Sequence, residues 1–138
     1  MPIPARIFET VIYCDDLAEA KRFYTEVLKL PLHMEADEFI VFRLAHSALL
    51  IFDRKQSIKE GRDVPRHGTE GPGHVAFAAT AEDFDYWMHR FEELEIPIDQ
   101  IVDWPVGGKS VYIRDPFGNS VEFAPATLWG GNWNFEET

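Results

Sequence analysis

Residues 107–123 read GGKSVYIRDPFGNSVEF, and this stretch predicts two strands joined by a tight turn. Asp115 can accept a hydrogen bond from the backbone two residues on, Pro116 fixes φ at the first corner, and Gly118 permits a positive φ. In the second strand Glu122 lies between two apolar residues. Because burying an unpaired carboxylate costs several kcal/mol, we expect Glu122 to have a functional reason for its position.

The composition is that of one folded domain. The chain has 138 residues, of which 46% are hydrophobic and 14% aromatic, and its net charge is −11. The negative charge argues against a nucleic-acid partner and favours a neutral or cationic one. No apolar run is long enough to cross a membrane, and the single cysteine, Cys14, cannot form an internal disulfide. These features predict a cytoplasmic protein.

The two halves of the chain repeat each other. Residues 40–52 align without a gap with residues 111–123, at an offset of 71, and residues 9–20 align with residues 74–85. Each copy reads as a strand, a helix and further strands, because its hydrophobic period changes from two to 3.6 and back. The fold class predicted is α+β, with two tandem βαβββ modules forming a curved sheet cup.

The predicted organisation has four parts. A polar segment rich in Gly and Pro separates the two modules and is long enough to be a linker or a lid over a site. Helices are predicted over residues 17–29, after the capping residues Asp15 and Asp16, and after a capping box of Thr80 and Asp83. The four parts are module 1 at about 6–54, the linker or lid at 55–73, module 2 at about 74–126, and an aromatic tail at 127–138.

The repeat brings four positions into correspondence. Glu9 matches His74 on the first strand of each module, and Ile51 matches Glu122 on the last. If the modules are related by a pseudo-twofold axis, these positions converge, and Glu9, His74 and Glu122 form a metal-type donor set. One imidazole and two carboxylates suit Mn, Fe(II), Ni, Zn or Mg. Ile51 cannot coordinate, so we expect water or substrate at its position.

Each donor also has a simpler interpretation. Glu122 would then be a solvent-facing strand residue, His74 a core histidine bonded to the backbone, and Glu9 a residue without a functional role. The corresponding placement of all three favours the metal site. Ser110, Tyr112 and Arg114 share a strand side with Glu122 and are predicted to bind substrate oxygens. The alternative for these three is the ordinary polarity of an exposed strand face.

The chain resembles the vicinal oxygen chelate superfamily, which includes glyoxalase I, bleomycin-resistance proteins and extradiol dioxygenases. The resemblance extends from Ile7 to about Ala126. It rests on three segments, which are DDLAEAKRFYTEVLKLPL, GPGHVAF and SVYIRDPFGNSVEF. It implies paired βαβββ modules around a divalent metal held at Glu9, His74 and Glu122, with Glu9 or Glu122 as a proton acceptor and Tyr112 as a catalytic substrate contact.

Two departures from the family pattern affect the expected activity. Glu9 stands where the family usually has histidine, and Ile51 stands where glyoxalase I has an acidic or amide ligand. The resemblance therefore does not imply a standard glyoxalase I. The family commonly forms homodimers, and Trp129, Trp133 and Phe135 are predicted to make a dimer or lid contact or to cover the chain's own core.

Two functions follow as hypotheses. The first is a metal-dependent enzyme that binds a small substrate through adjacent oxygens and catalyses isomerase, lyase, transferase or dioxygenase chemistry. The second is a metal-free protein of the bleomycin-resistance kind, which sequesters a cationic aromatic compound. Sequestration has no need of a Glu-His-Glu set, so the residues favour the enzyme.

Overall fold

The computed structural model describes residue 2 and residues 4–130, and the chain divides into two compact units between Gly71 and Pro72. Each unit contains one four-stranded mixed sheet and a helix that follows its first strand. The predicted fold class, α+β with two βαβββ modules, is confirmed. Among the described residues, no helix is both long and apolar enough to cross a membrane.

The elements of the N-terminal unit are β1 (Glu9–Cys14), α1 (Leu17–Arg22), β2 (Leu32–Glu35), β3 (Phe39–Arg43), β4 (Ala48–Asp53) and α2 (Arg54–Ser57). Its sheet has the strand order β1-β4-β3-β2, with β1 parallel to β4 and the other pairs antiparallel. The buried core lies between the sheet and α1 and includes Tyr24, Phe42 and Leu49.

The C-terminal unit contains β5 (His74–Ala79), α3 (Ala81–Glu93), β6 (Gln100–Asp103), β7 (Lys109–Arg114) and β8 (Ser120–Pro125). It repeats the topology of the first unit with the strand order β5-β8-β7-β6, in which β5 is parallel to β8. Phe91 of α3 is fully buried, and Trp87 stacks on Phe123 with ring centroids 4.7 Å apart.

The helix starts follow from their capping residues. The Asp16 side chain accepts from the Glu19 backbone, and Thr80 and Asp83 form the predicted reciprocal capping box. The first helix differs from its prediction over residues 17–29. After Arg22 it continues as a π-helical turn over Phe23–Val27, a rare geometry that hydrophobic spacing does not distinguish from an α-helix.

The sheet registers confirm that the first strands correspond. Glu9 lies opposite Ala48, which lies opposite Arg43. In the other unit His74 lies opposite Ser120, which lies opposite Arg114. The turns between the last two strands differ, however, because residues 44–47 connect them in one unit and residues 115–119 in the other. The alignment of the two halves therefore needs a one-residue gap in the turn.

This gap corrects the prediction for Ile51. The counterpart of Glu122 is Leu50, since Glu122 lies two residues beyond Ser120 and Leu50 two beyond Ala48. Ile51 pairs instead with Ile12 and Ile40 and is fully buried in the core. Successive residues of a strand point to opposite faces, so Ile51 lies on the face opposite Glu9 and is not a substrate-facing residue.

The polar segment after β4 packs on the sheet of the N-terminal unit. The His67 ring contacts Phe52 with centroids 4.6 Å apart, and its Nδ1 lies 2.7 Å from the Tyr13 hydroxyl. Arg62 pairs with Glu38, with an Nη2–Oε1 distance of 2.6 Å. Tyr13 and Phe52 share the Glu9 face of the sheet, because they follow Glu9 and Ala48 by even steps. The segment therefore covers the far end of that face.

Candidate functional site

The turn predicted from residues 115–119 positions both strands of the C-terminal site. Asp115 Oδ1 accepts from the Asn119 backbone at 2.8 Å, and Gly118 has φ +85°. The Asn119 side chain then accepts a hydrogen bond from the Gly73 backbone at 2.7 Å. Because Gly73 precedes β5, this bond aligns β5 beside β8 and fixes the start of the strand at His74.

The Glu122 carboxylate is buried, and each of its two oxygens has a polar partner. Its side chain is 7% exposed, and its Oε2 accepts from Ser110 Oγ at 2.7 Å. Ser110 Oγ itself accepts from Trp104 Nε1 at 2.8 Å, so the serine hydroxyl has a defined direction and donates to the carboxylate. This chain of donors compensates for the cost of removing Glu122 from water and orients its carboxyl plane.

His74 approaches the other carboxylate oxygen. Its Nδ1 lies 3.2 Å from the Ser120 carbonyl oxygen, and its Nε2 lies 3.0 Å from Glu122 Oε1. Both of these oxygens are acceptors, and a neutral imidazole has one N–H to donate, either from Nδ1 to Ser120 or from Nε2 to Glu122. In the Nδ1–H tautomer the Nε2 lone pair faces Glu122 Oε1, and a second ring proton or a metal ion between the two atoms would link them.

Tyr112 completes the cluster. It lies opposite Glu122 in the antiparallel β7–β8 pair, and its ring stacks near that of His74 with centroids 6.2 Å apart. Burial raises the pKa of the Tyr112 phenol, and the hydrogen bond to the Glu122 carboxylate raises this pKa further. The hydroxyl is therefore a proton donor at neutral pH.

Arg114, predicted to contact substrate, is engaged elsewhere. Its guanidinium pairs with Asp99 at 3.1 Å and donates to the Gly118 carbonyl at 3.0 Å. This exposed pair links the start of β6 to the turn after β7. Ser110, Tyr112 and Glu122 are brought together by the structure, and Arg114 is held at the edge of this group by its own partners.

In the N-terminal unit the corresponding positions are largely apolar. Glu9 is exposed as the first residue of β1, and the residues beyond it on the same face are Val11, Leu50 and Val41. Among the described residues, no group of three or more His, Cys, Asp or Glu side chains is gathered as a metal site. The donor pair of His74 and Glu122 is therefore the chemically distinctive feature.

Comparison with known proteins identifies the family to which this chain belongs. The model of the Glyoxalase/Bleomycin resistance protein/Dioxygenase superfamily matches residues 6–123. The chain belongs to this superfamily. The resemblance to vicinal oxygen chelate proteins seen in the sequence is thereby confirmed.

Individual members of the superfamily support the assignment. A crystal structure of lactoylglutathione lyase from Agrobacterium tumefaciens has 41% identity and a TM-score of 0.89, covering 94% of this chain and 100% of that one. The metallothiol transferase FosB of Staphylococcus saprophyticus is 26% identical over 115 residues, 82% of this chain and 72% of the relative. A superfamily structure from Nocardioides, with 23% identity over 97% of this chain and 91% of that one, shows the same fold at a TM-score of 0.73.

Sequence reasoning missed three parts of this arrangement. Trp104 donates to Ser110 from the loop after β6, and the Ser120 carbonyl orients His74. Leu50, rather than Ile51, is the counterpart of Glu122. A tryptophan beside a proline gives no periodic signal, and a backbone carbonyl carries none at all. The alignment error had a possible signal in the different lengths of the two turns.

Proposed function

We propose that this protein is a metal-dependent enzyme of the superfamily, with His74, Glu122 and Glu9 as the protein ligands of one divalent ion. The observation that carries the proposal is the 3.0 Å approach of His74 Nε2 to Glu122 Oε1. With the ring proton on Nδ1, both atoms present lone pairs to each other. A metal ion between them would be coordinated by both atoms.

The donor pair fits a metal ion in its spacing. Two adjacent ligands of a six-coordinate ion, each about 2.1 Å from the metal, are about 3 Å apart, which matches the observed separation. The surroundings fit as well, because metal-binding histidines usually donate their other ring N–H to a carbonyl, and with Nε2 on the metal His74 Nδ1 would donate to the Ser120 carbonyl oxygen 3.2 Å away. Glu9 would add a second carboxylate and leave positions for substrate oxygens or water.

The chain's own residues have separable roles in this proposal. A bound divalent ion would supply Lewis acidity toward a small substrate with adjacent oxygens. Ser110 holds the Glu122 carboxylate in one orientation. The Tyr112 hydroxyl, kept protonated by its raised pKa, exchanges its hydrogen bond to Glu122 for one to a substrate oxygen. A carboxylate of Glu9 or Glu122 accepts the proton that the substrate releases.

The names of two relatives bear on the class of reaction. The two relatives are named as a lyase and a transferase, which favours these two of the isomerase, lyase, transferase and dioxygenase classes. Leu50 supplies no ligand where Glu122 does so in the other unit, and the proposed ion therefore has three protein ligands. We accordingly propose a site that differs from a standard glyoxalase I. Homodimer formation, common in the superfamily, is part of the same proposal.

Metal analysis of untagged protein purified without a chelator tests the proposal. We expect about one divalent ion per chain in the wild type and its loss in His74→Ala. His89→Ala, which removes an exposed histidine from α3, should retain the metal. Circular dichroism melting would establish that both variants fold. A wild type that is metal-free and also ignores added Mn, Ni, Zn and Fe(II) would refute the proposal and favour sequestration of a small molecule.

A further inference from the structure

We propose that a cavity beside the β3–β4 turn binds the anionic group of the substrate through Arg43, His33 and His46. The proposal concerns the N-terminal unit alone. That the anion belongs to the substrate rests on the proposed metal-dependent function, whereas binding of the anion itself does not.

The cavity has the size and lining of a small-molecule site. Its volume is about 460 Å³, within the usual range for ligand pockets. Val41 and Ala48 contribute apolar surface, and Arg43, His33 and His46 contribute nitrogen donors. Of the described residues that line it, none is acidic. In a chain with a net charge of −11, such a local excess of cationic and imidazole groups favours an anion.

Arg43 differs from its register counterpart. Arg43 lies opposite Ala48 as Arg114 lies opposite Ser120. Arg114 is neutralised by Asp99 at 3.1 Å, whereas the Arg43 side chain forms no ion pair with any residue in the described part of the chain. The N-terminal unit thus has a guanidinium available for a ligand at the position where the C-terminal unit uses one structurally.

The cavity wall is held by backbone hydrogen bonds. The Leu44 N–H donates to the Ser47 carbonyl at 2.9 Å, which closes the turn that carries His46. The Ala48 N–H donates to the Phe8 carbonyl at 2.9 Å and joins this turn to the start of β1. The imidazole of His46 is therefore carried on a constrained turn, which reduces the entropy lost when a ligand binds.

The cavity lies on the same sheet face as Glu9. Arg43, Ala48 and Glu9 form one row across β3, β4 and β1. Two strand spacings separate Arg43 from Glu9, a distance of about 10 Å between backbones. A substrate of a few carbon atoms, with its oxygens on an ion at Glu9, would therefore extend its other end to Arg43.

The donors identify the ligand chemistry as an oxyanion. Guanidinium binds carboxylate and phosphate oxygens in a two-pronged geometry, and imidazole N–H groups add single hydrogen bonds. The shared chemistry is a carboxylate or phosphate group on a small molecule. The apolar floor formed by Val41 and Ala48 favours a short hydrocarbon attached to that group.

Chelator-treated protein allows the anion site to be tested without a metal. The probes are inorganic phosphate and acetate, titrated separately at constant ionic strength, with the histidine ring signals followed by NMR. At least one probe should shift the His33 and His46 signals saturably and leave His89 unchanged. Arg43→Gln should weaken this binding by roughly tenfold or more, as expected for loss of a charge-assisted pair. Arg22→Gln, with the same charge change on α1, should bind like the wild type.

Each outcome of this experiment decides the proposal. Saturable binding of phosphate in preference to acetate, or of acetate in preference to phosphate, supports the proposal and identifies the anionic group that the cavity accepts. Equal shifts of all histidines, no saturable shift with either probe, or unaltered binding in a folded Arg43→Gln would overturn it. The His74→Ala variant separates the two proposals, because it should lose metal and keep anion binding. Anion binding in a wild type that takes up no metal would sustain this inference while refuting the metal-dependent function.

Discussion

The two units share one topology and assign different chemistry to the same sheet positions. The matched pairs on the Glu9 and His74 faces are Val11 and Ala76, Val41 and Tyr112, and Leu50 and Glu122. The N-terminal unit thus has an apolar floor, and the C-terminal unit has an ionisable cluster. The repeated backbone supplies equivalent rows of residues, and differences at single positions within them make these positions apolar in one unit and ionisable in the other.

The strongest test of the corrected alignment is Ile51→Glu. Ile51 is fully buried between Ile12 and Ile40, so a carboxylate there would have no partner. We expect the free energy of unfolding to fall by about 4 kcal/mol or more, measured by urea denaturation. Ile51→Leu, which keeps the side chain apolar, should lose about 1 kcal/mol. A stable Ile51→Glu protein would restore Ile51 as a residue of the Glu9 face.

A smaller effect is expected at the serine that orients Glu122. Ser110→Ala leaves Glu122 Oε2 without its 2.7 Å donor and Trp104 Nε1 without its acceptor. We expect a loss of about 1–3 kcal/mol in the free energy of unfolding, together with roughly tenfold weaker metal binding. Ser57→Ala is a matched control, because Ser57 is also fully buried but its hydroxyl makes only a 3.4 Å bond. Equal losses in the two variants would show that Ser110 has no special role in the cluster.

Leu50→Glu should make the N-terminal unit resemble the C-terminal unit, in which Glu122 occupies the matching position. Leu50 lies on the Glu9 face and is half-buried, so a carboxylate there can reach water or an ion. We expect metal affinity to rise by roughly tenfold, as for an added ligand (about 1.4 kcal/mol), measured by calorimetry. Leu50→Gln controls for polarity without charge. Weaker metal binding in Leu50→Glu than in Leu50→Gln would contradict the proposed position of this residue beside the ion.

The smallest expected effect concerns two tyrosines with different environments. Burial raises the pKa of both Tyr13 and Tyr112, and only Tyr112 has the Glu122 carboxylate as a further cause. In metal-free Glu122→Gln, spectrophotometric titration should show a lower pKa for Tyr112 and no change for Tyr13. Tyr112→Phe identifies which phenol titrates. A parallel fall in both pKa values would mean that a global loosening, not the carboxylate, explains the shift.

The sign of the linked stability follows from the direction of this shift. A raised folded-state pKa means that the folded protein holds the phenolic proton more tightly than the unfolded chain does. The contribution of Tyr112 to stability is therefore complete below the ordinary tyrosine pKa of about 10. It is lost as the pH rises from there through the raised folded-state value, and Glu122→Gln should reduce this alkaline loss.

Much of the fold could be predicted because local signals agreed with one another. The Asp-Pro-Phe-Gly-Asn turn, the Thr80–Asp83 capping box and the repeat all indicated the observed elements. The error at Ile51 has a physical origin. Residues 48–52 are uniformly apolar, so they show no alternation that fixes the facing side, and a one-residue change of register inverts every side chain. In residues 120–124, by contrast, the single charged residue Glu122 indicates which side chains share its face of the sheet.

The long-range partners could not be predicted from spacing. Asp99 and Arg114 are 15 residues apart and meet only because β6 pairs with β7. Trp104 reaches Ser110 by the same route. Nothing in the sequence distinguishes a neutralised Arg114 from an available Arg43. The difference between the two arginines depends on whether the neighbouring edge strand places an acidic residue beside the guanidinium.

The link between His74 and Glu122 also has a consequence for the order in which this unit assembles. β7 and β8 form a local hairpin, whereas β5 reaches β8 across 46 residues, from His74 to Ser120. Contacts of such sequence separation form late, because the chain loses more entropy in closing the longer loop. β5 is also an outer strand with β8 as its sheet neighbour. A cation bound by His74 and Glu122, as proposed, would therefore connect β5 to β8 and shift the equilibrium at this sheet edge from the frayed toward the paired state.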